Sequence, residues 1–231
     1  MRIGILLCDH VDRDRETKYG TYLEMFERLL PDIDFRPYYV CDNDFPDNVF
    51  DCDGYLVNGS RYSVYDDIPW INILKEFTVD IHQAQLGYVG VCFGHQVLAE
   101  ALGGKVDKST VGWCVGVHAF ELIQPRPWMD PGSSHYKLLM MCQDQVVKLP
   151  PDSQILASSS ECKVGMFTVG KNMLGIQAHP EFSTDYVSHL LGERVKKIGA
   201  TKVAEAMDTL HQQLDAVIIS TWIRKFFSDR S

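Results

Sequence analysis

Short apolar runs alternate with stretches whose apolar residues recur every three or four positions, and this rhythm dominates the first half of the chain. Arg2–Cys8 is apolar almost throughout, as expected of a strand buried on both faces of a parallel sheet. A polar loop, Asp9–Glu16, leads to Tyr19–Leu30, where Tyr22, Leu23, Phe26, Leu29 and Leu30 recur at helical spacing until Pro31 stops the helix. Phe35–Val40 and Gly54–Asn58 read as the second and third strands. A loop with Pro69 precedes a helix over Ile71–Gln83; the strand Tyr88–Val91 and a helix over Gln96–Leu102 follow. Strands alternating with helices mark βαβ units, so the pattern predicts an α/β fold: a doubly wound, mostly parallel sheet flanked by helices.

After Gly104 the character changes. Val111–Ile123 and Cys162–Val169, with turns rich in Pro, Gly and Ser between them, predict an antiparallel hairpin extension, with Tyr136–Met141 as a short helix. Leu174–Ala178 reads as a central strand running directly into His179-Pro180-Glu181, and Thr184–Leu191 as helix. Val203, Met207, Leu210, Leu214, Val217, Ile218, Trp222 and Phe226 form a broad apolar face, which predicts one long amphipathic helix over 203–227. With no repeat, low-complexity tract or linker, residues 1–231 are expected to form one domain.

Composition narrows the class. The net charge is −9 and Lys and Arg are scattered, so no nucleic acid partner is expected. The seven cysteines are odd in number and none form a C-x-x-C pair, which argues against a disulfide framework or structural zinc site and for a reducing, cytoplasmic setting. The apolar run Ile3–Cys8 is too short for a signal core and meets Asp9 and Asp12 at once. No run is long enough to span a membrane.

Three short stretches carry the candidate chemistry. In Tyr88–Gly104 the strand ends at Cys92 and a helix starts there, with Gly90 and Gly94 permitting a tight turn. A helix N-terminus stabilises a thiolate through its dipole and free N–H groups. Alone, the stretch allows a buried core cysteine, a redox thiol or a nucleophile. In Gln177–Phe182, His179 could take a thiol proton and return it to a leaving amine, with Glu181 fixing its tautomer; a bare loop histidine is the alternative. In Gly54–Asp66, the strand ending Asn58-Gly59-Ser60 offers an unhindered backbone amide of the kind an oxyanion hole needs, or is a plain turn. The remaining histidines show no ligand spacing, so no metal site is expected. His95 is expected to pack near the elbow without moving protons, and Tyr62, Ser63 and Tyr65 to belong to a solvated loop, a lid over the pocket being the alternative.

Taken together, Gly90-Val91-Cys92-Phe93-Gly94-His95-Gln96, Gln177-Ala178-His179-Pro180-Glu181 and Gly54–Asp66 closely resemble the class I (triad) glutamine amidotransferase family, with the motifs in the family's order over about Met1 to Phe182. Gly103-Gly104-Lys105-Val106 and Val111-Gly112-Trp113 add to the likeness, and the chain resembles a stand-alone relative of the GMP synthetase amidotransferase domain. The resemblance implies a flavodoxin-like fold with no metal or organic cofactor. It implies Cys92 as nucleophile, His179 as general base and acid oriented by Glu181, the N–H groups of Gly59 and Phe93 as oxyanion hole, and Gln96 as a binder of the glutamyl moiety. Asn58-Gly59-Ser60 stands where the family commonly has Gly-Gly-Pro, Ala178 where many members have an aromatic residue, and Cys142–Val146 lacks a histidine found in the GMP synthetase relatives.

The function so implied is hydrolysis of a γ-glutamyl amide through a glutamyl thioester, glutamine being the first substrate to consider. A γ-glutamyl peptidase acting on glutathione or its conjugates would use the same chemistry, and a non-catalytic regulatory protein keeping the fold is the third reading. The expected partners are a small γ-glutamyl substrate and, if ammonia is passed on, a separate synthase subunit.

Overall fold

The computed structural model describes residues 1–229 and bears out the alternation of the first half. In order come β1 (Arg2–Leu6), α1 (Arg13–Tyr19), α2 (Tyr22–Leu29), β2 (Asp34–Tyr38), β3 (Gly54–Val57), α3 (Pro69–Gln83), β4 (Gly87–Val91) and α4 (Phe93–Ala101). The helix expected over Tyr19–Leu30 is two. Gly20 ends α1 with φ 85°, and Thr21 opens α2 with a capping box: the Thr21 N–H donates to Glu24 Oε2 at 2.7 Å and the Glu24 N–H to Thr21 Oγ1 at 3.1 Å.

The second half brings β5 (Lys105–Lys108), β6 (Cys114–Leu122), β7 (His135–Cys142), β8 (Asp144–Lys148), β9 (Ser153–Ser158), β10 (Met166–Val169) and β11 (Met173–Ile176), then α5 (Thr184–Glu193), α6 (Val195–Ile198), α7 (Ala200–Thr209) and α8 (Ala216–Ser228). Nine strands form one sheet in the order β2-β1-β3-β4-β11-β10-β9-β6-β7, and β5 pairs with β8 separately. From β2 to β11 neighbours run parallel, as βαβ crossovers require. From β10 to β7 they are antiparallel. The class of the fold is as predicted, with an extension larger than a single hairpin.

Two further expectations fail, both in the second half. Tyr136–Met141 is not a helix but the middle of β7, paired residue for residue with β6 from Cys114↔Cys142 to Glu121↔His135. A short apolar run is compatible with either element, and here the partner strand decided. The single helix over 203–227 is broken into α7 and α8. Asp215 sits in the break, donating its N–H to the Lys137 carbonyl (2.9 Å) and accepting the Lys137 N–H on its carboxylate (2.7 Å). The break lets the segment turn around the sheet edge. Val203 and Ala206 of α7 pack with Val115, Val117, Leu139 and Met141, while Trp222 and Ile223 of α8 pack with Tyr136, Leu138 and Met140. Since successive strand residues face opposite sides, the two helices cover opposite faces of the same strands. One straight helix could cover only one.

Helices cover both faces of the parallel half as well. Ile3, Ile5, Leu56, Val89 and Val91 pack in the cluster containing Phe26 of α2 and Ile219 of α8; Leu6, Tyr55, Val57 and Tyr88 pack with Leu74 of α3 and Val97 of α4. All residues of β3 and β4 are buried. Among the described residues no helix is long and apolar enough to cross a membrane.

The tightest packing in this half lies under the β4–α4 turn. A Cβ at Gly94 would meet the Val57 carbonyl oxygen at 2.3 Å, and one at Gly90 would meet the Gly94 carbonyl oxygen at 2.3 Å. Gly94→Ala is therefore expected to destabilise the fold by about 1–3 kcal/mol, as overpacking does. Gly192→Ala, at an exposed position of α5 with nothing within 4 Å of the new Cβ, should be neutral or stabilising by a few tenths to about 1 kcal/mol. Urea denaturation of both variants checks the contrast.

Candidate active site

β4 ends inside the sheet and α4 must begin at once, so the joining residue bears the whole change of direction. That residue is Cys92, with φ 53° and ψ −99°. A side chain at positive φ costs of order 1–3 kcal/mol and persists only where its surroundings impose it. Here the Cys92 N–H donates to the Ile176 carbonyl at 2.8 Å, the Gln96 N–H donates to the Cys92 carbonyl at 3.1 Å, and the Gly94 N–H donates to the Asn58 carbonyl at 3.2 Å. From below, the buried Tyr88 hydroxyl donates to the Gly94 carbonyl at 2.7 Å. The elbow is thus pinned by β11, α4 and the residue after β3.

His179 follows β11, next to β4 in the sheet, and reaches the same edge. Its N–H donates to the Leu139 carbonyl at 2.8 Å, its ring stacks on Phe182 with centroids 4.0 Å apart, and its Nδ1 lies 2.7 Å from Glu181 Oε1. Pro180 leaves the chain little freedom between the two partners. Burial alone would depress the imidazole pKa. The Glu181 carboxylate and the Cys92 side chain more than reverse this, raising it from 6.5 to about 10. Burial is the largest cause that pushes up the thiols of Cys8, Cys41, Cys52, Cys114, Cys142 and Cys162.

Gly59 completes the juxtaposition. A Cβ there would come within 2.9 Å of His179 Cε1 and 3.7 Å of Cys92 Cβ, so only glycine lets the loop approach both. The N–H groups of Gly59 and Phe93 have no protein acceptor among the described residues. Asn58, fully buried, accepts the Cys8 N–H on its side-chain oxygen at 2.7 Å, and Ser60 Oγ donates to the Cys8 carbonyl at 2.9 Å. Arg61 then locks the loop from outside, its Nε donating to Asp9 at 2.9 Å and its Nη2 to Asp12 at 3.0 Å. Sequence reasoning missed this anchor. Asp9 and Arg61 are far apart along the chain, and although Arg61 lies inside Gly54–Asp66, nothing in that stretch marks it as a partner of Asp9.

Gln96 is buried beside the elbow, its Nε2 donating to the Asp144 carbonyl (2.8 Å) and to Gln177 Oε1 (3.3 Å), which leaves its own Oε1 as the atom open to a substrate N–H. Gln96, Cys92 and Phe93 line a cleft of about 240 Å³, closed on the other side by Trp113, Cys142 and Asp144. The loop of Tyr62–Tyr65 is exposed at both tyrosines, as expected, and is also tethered: Ser63 Oγ and the Tyr65 hydroxyl both donate to Asp144, at 2.5 and 3.0 Å. His95 packs edge-on against Phe167, 4.9 Å between centroids; burial lowers its pKa to about 3 despite the neighbouring Gly175 backbone, so it stays neutral. His10, Cys41 and Asp42 bring potential metal-ligand atoms within 4.8 Å of one another. Burial and the nearby Asp42 and Asp9 push the Cys41 thiol up to about 12, which disfavours the thiolate a metal needs, and His10 and Asp42 already pair at 2.9 Å.

A strained cysteine between a parallel strand and a helix, facing a histidine–carboxylate pair beyond the neighbouring strand, defines a class. The glutamine amidotransferase class-I family matches residues 29–197, and the chain belongs to that family, whose members are generally hydrolytic enzymes. It is 30% identical over 182 residues to gamma-glutamyl peptidase 4 of Arabidopsis thaliana, covering 75% of this chain and 72% of that protein. It is also 30% identical over 167 residues to the glutamine-hydrolyzing GMP synthase of Chlamydia muridarum, spanning 70% of this chain and 31% of that enzyme. Among solved structures, a glutamine amidotransferase from Thermotoga maritima superposes with a TM-score of 0.79 over 98% of both chains at 15% identity, a likeness of fold.

An imidazole whose pKa rises from 6.5 to about 10 on folding holds its proton more tightly in the native state. It therefore stabilises the fold fully below about pH 6.5 and loses that contribution as the pH climbs through about 10. NMR titration of the His179 ring is expected to show the raised value. In Glu181→Gln the largest raising influence is gone, and the titration should move downwards. An unmoved titration would exclude Glu181 as the cause.

Proposed function

We propose that this chain hydrolyses γ-glutamyl amides through a covalent thioester on Cys92. The observation that carries the reading is the convergence of Cys92, the His179–Glu181 pair and the unpaired Gly59 and Phe93 N–H groups at one sheet edge. In this scheme the Cys92 thiol passes its proton to His179 and the sulfur attacks the side-chain carbonyl carbon. The carbonyl oxygen takes up negative charge where the N–H groups of Gly59 and Phe93 can receive it. The carbon–nitrogen bond then breaks, and His179 delivers its proton to the departing amine. Water, deprotonated by His179, attacks the thioester; glutamate leaves and the thiol regains its proton. Glu181 keeps the imidazole oriented and offsets its charge throughout. Gln96 holds the glutamyl end of the substrate.

Glutamine is the first substrate for this site, and its ammonia would pass to a separate synthase chain. The similarity to a γ-glutamyl peptidase makes γ-glutamyl peptides the second. No step calls for a metal, an organic cofactor or nucleic acid. We place the activity in one domain of a cytoplasmic protein.

Cys92→Ala is expected to lower turnover by on the order of 10⁴-fold or more, and Glu181→Gln by about 10²–10⁴-fold. Mass spectrometry of the quenched wild-type protein should find a glutamyl adduct on Cys92. Turnover retained in Cys92→Ala would sink the mechanism. Release of glutamate from glutamine separates an amidohydrolase from a peptidase, and a protein active on glutamine only with a second chain present would be a synthase subunit.

A further inference from the structure

Three cations line the cleft beside Cys92 without a salt bridge among the described residues, Lys108 having only the adjacent Asp107 as an electrostatic neighbour. Lys108 at the end of β5, Arg194 between α5 and α6, and Lys197 on α6 all line it. Among the described residues none of the three forms a salt bridge, and the Lys197 ammonium sits over the Trp113 ring, 5.3 Å from its centroid, within the about 6 Å over which a cation is drawn to an aromatic face. The carboxylates nearby are hydrogen-bonded or paired, and Asp144, which lines the cleft and is held by hydroxyls alone, offsets one of the three charges. Asp144 accepts from Ser63 and Tyr65, Asp9 from Arg61, Asp107 pairs with Lys105 at 3.2 Å, and Glu193 pairs with Arg15 and with His189. The fourth cation of the cleft, Arg61, is held by Asp9 and Asp12. In a chain of net charge −9, this cleft is a local positive field.

A glutamyl group does not balance that field. It brings one carboxylate, and an ammonium that cancels it. Arg194 also lines the small cavity shared by Cys92 and His179. Because His179 would protonate the departing amine, that cavity lies on the leaving-group side. We infer that Arg194, with Lys197 and Lys108 behind it, forms a carboxylate clamp for the leaving half of the substrate, and so selects γ-glutamyl amino acids or peptides, with their additional carboxylate, over glutamine. This inference rests on the γ-glutamyl chemistry proposed above and puts the second of its two substrate classes ahead of the first. The leaving amine is then an amino acid or peptide rather than ammonia; the bonds made and broken are unchanged.

The test compares two ligands that differ by a carboxylate in place of a methyl: γ-glutamylglycine and γ-glutamylethylamide. Each is titrated calorimetrically into Cys92→Ala protein, alone and combined with Arg194→Gln, Arg194→Lys or Lys197→Ala. With the cations intact, γ-glutamylglycine is expected to bind about tenfold or more tightly than the ethylamide, the scale of one charge-assisted hydrogen bond. Raising the salt concentration should shrink that preference. Arg194→Gln and Lys197→Ala should each reduce it, and Arg194→Lys should retain part of it. Equal affinities, no binding of either ligand, or a preference that survives both neutral substitutions would overturn the clamp. Turnover is not needed for this measurement. Failure of the Cys92 chemistry would instead appear in the wild-type protein, as no cleavage of either compound and no adduct on Cys92, with the binding preference intact.

Discussion

The backbone at Cys92 adopts a conformation that side chains avoid, and the organisation of the site follows from the need to hold it there. Its strain, of order 1–3 kcal/mol, is balanced by bonds to the first turn of α4, which follows it directly, and to two elements distant in sequence, the end of β11 and Asn58 after β3. Those elements also deliver the other parts of the site. β11 runs on into His179, α4 offers the Phe93 N–H, and Asn58 precedes Gly59. The bonds that enforce the elbow therefore set the relative positions of thiol, imidazole and amide donors.

Electrostatics depend on the same burial. Two unit charges about 4 Å apart attract by about 4 kcal/mol at an effective dielectric near 20, while removing each charge from water costs several kcal/mol. The His179–Glu181 pair is thus no great source of stability. Its consequence is an imidazole beside the Cys92 side chain that takes up and holds a proton more readily than a free one, because Glu181 and Cys92 together outweigh desolvation. Phe182, stacked on the ring, excludes water from one side and leaves the Glu181 contact to determine orientation.

The antiparallel half has a different task. Trp113 leads into β6, Cys142 ends β7 and Asp144 starts β8, so this extension builds the far wall of the cleft whose near wall is the elbow. The break at Asp215 lets α7 and α8 clamp both faces of β6 and β7, which makes that wall firm. Asp144 then ties down the Tyr62–Tyr65 loop, joining the two walls through its carboxylate.

Much of this was legible in the chain itself. Local patterns sufficed for the parallel half because strand and helix periods differ and glycine and proline punctuate them: Tyr88–Gly104 shows a strand, a tight turn and a helix without any knowledge of its neighbours. Cys92, His179, Glu181 and Gly59 were visible as candidates because each sits at a strand end in a short motif. What needed the tertiary structure was whatever depends on a partner distant in sequence. Tyr136–Cys142 is apolar enough for either element and became a strand by pairing with β6. The 203–227 face was continuous in sequence, yet it broke where Asp215 met Lys137. Asp9, Arg61, Lys108, Arg194 and Lys197 carry no signature, because a charge acquires its role from the groups folding brings near it, and spacing along the chain does not encode those distances.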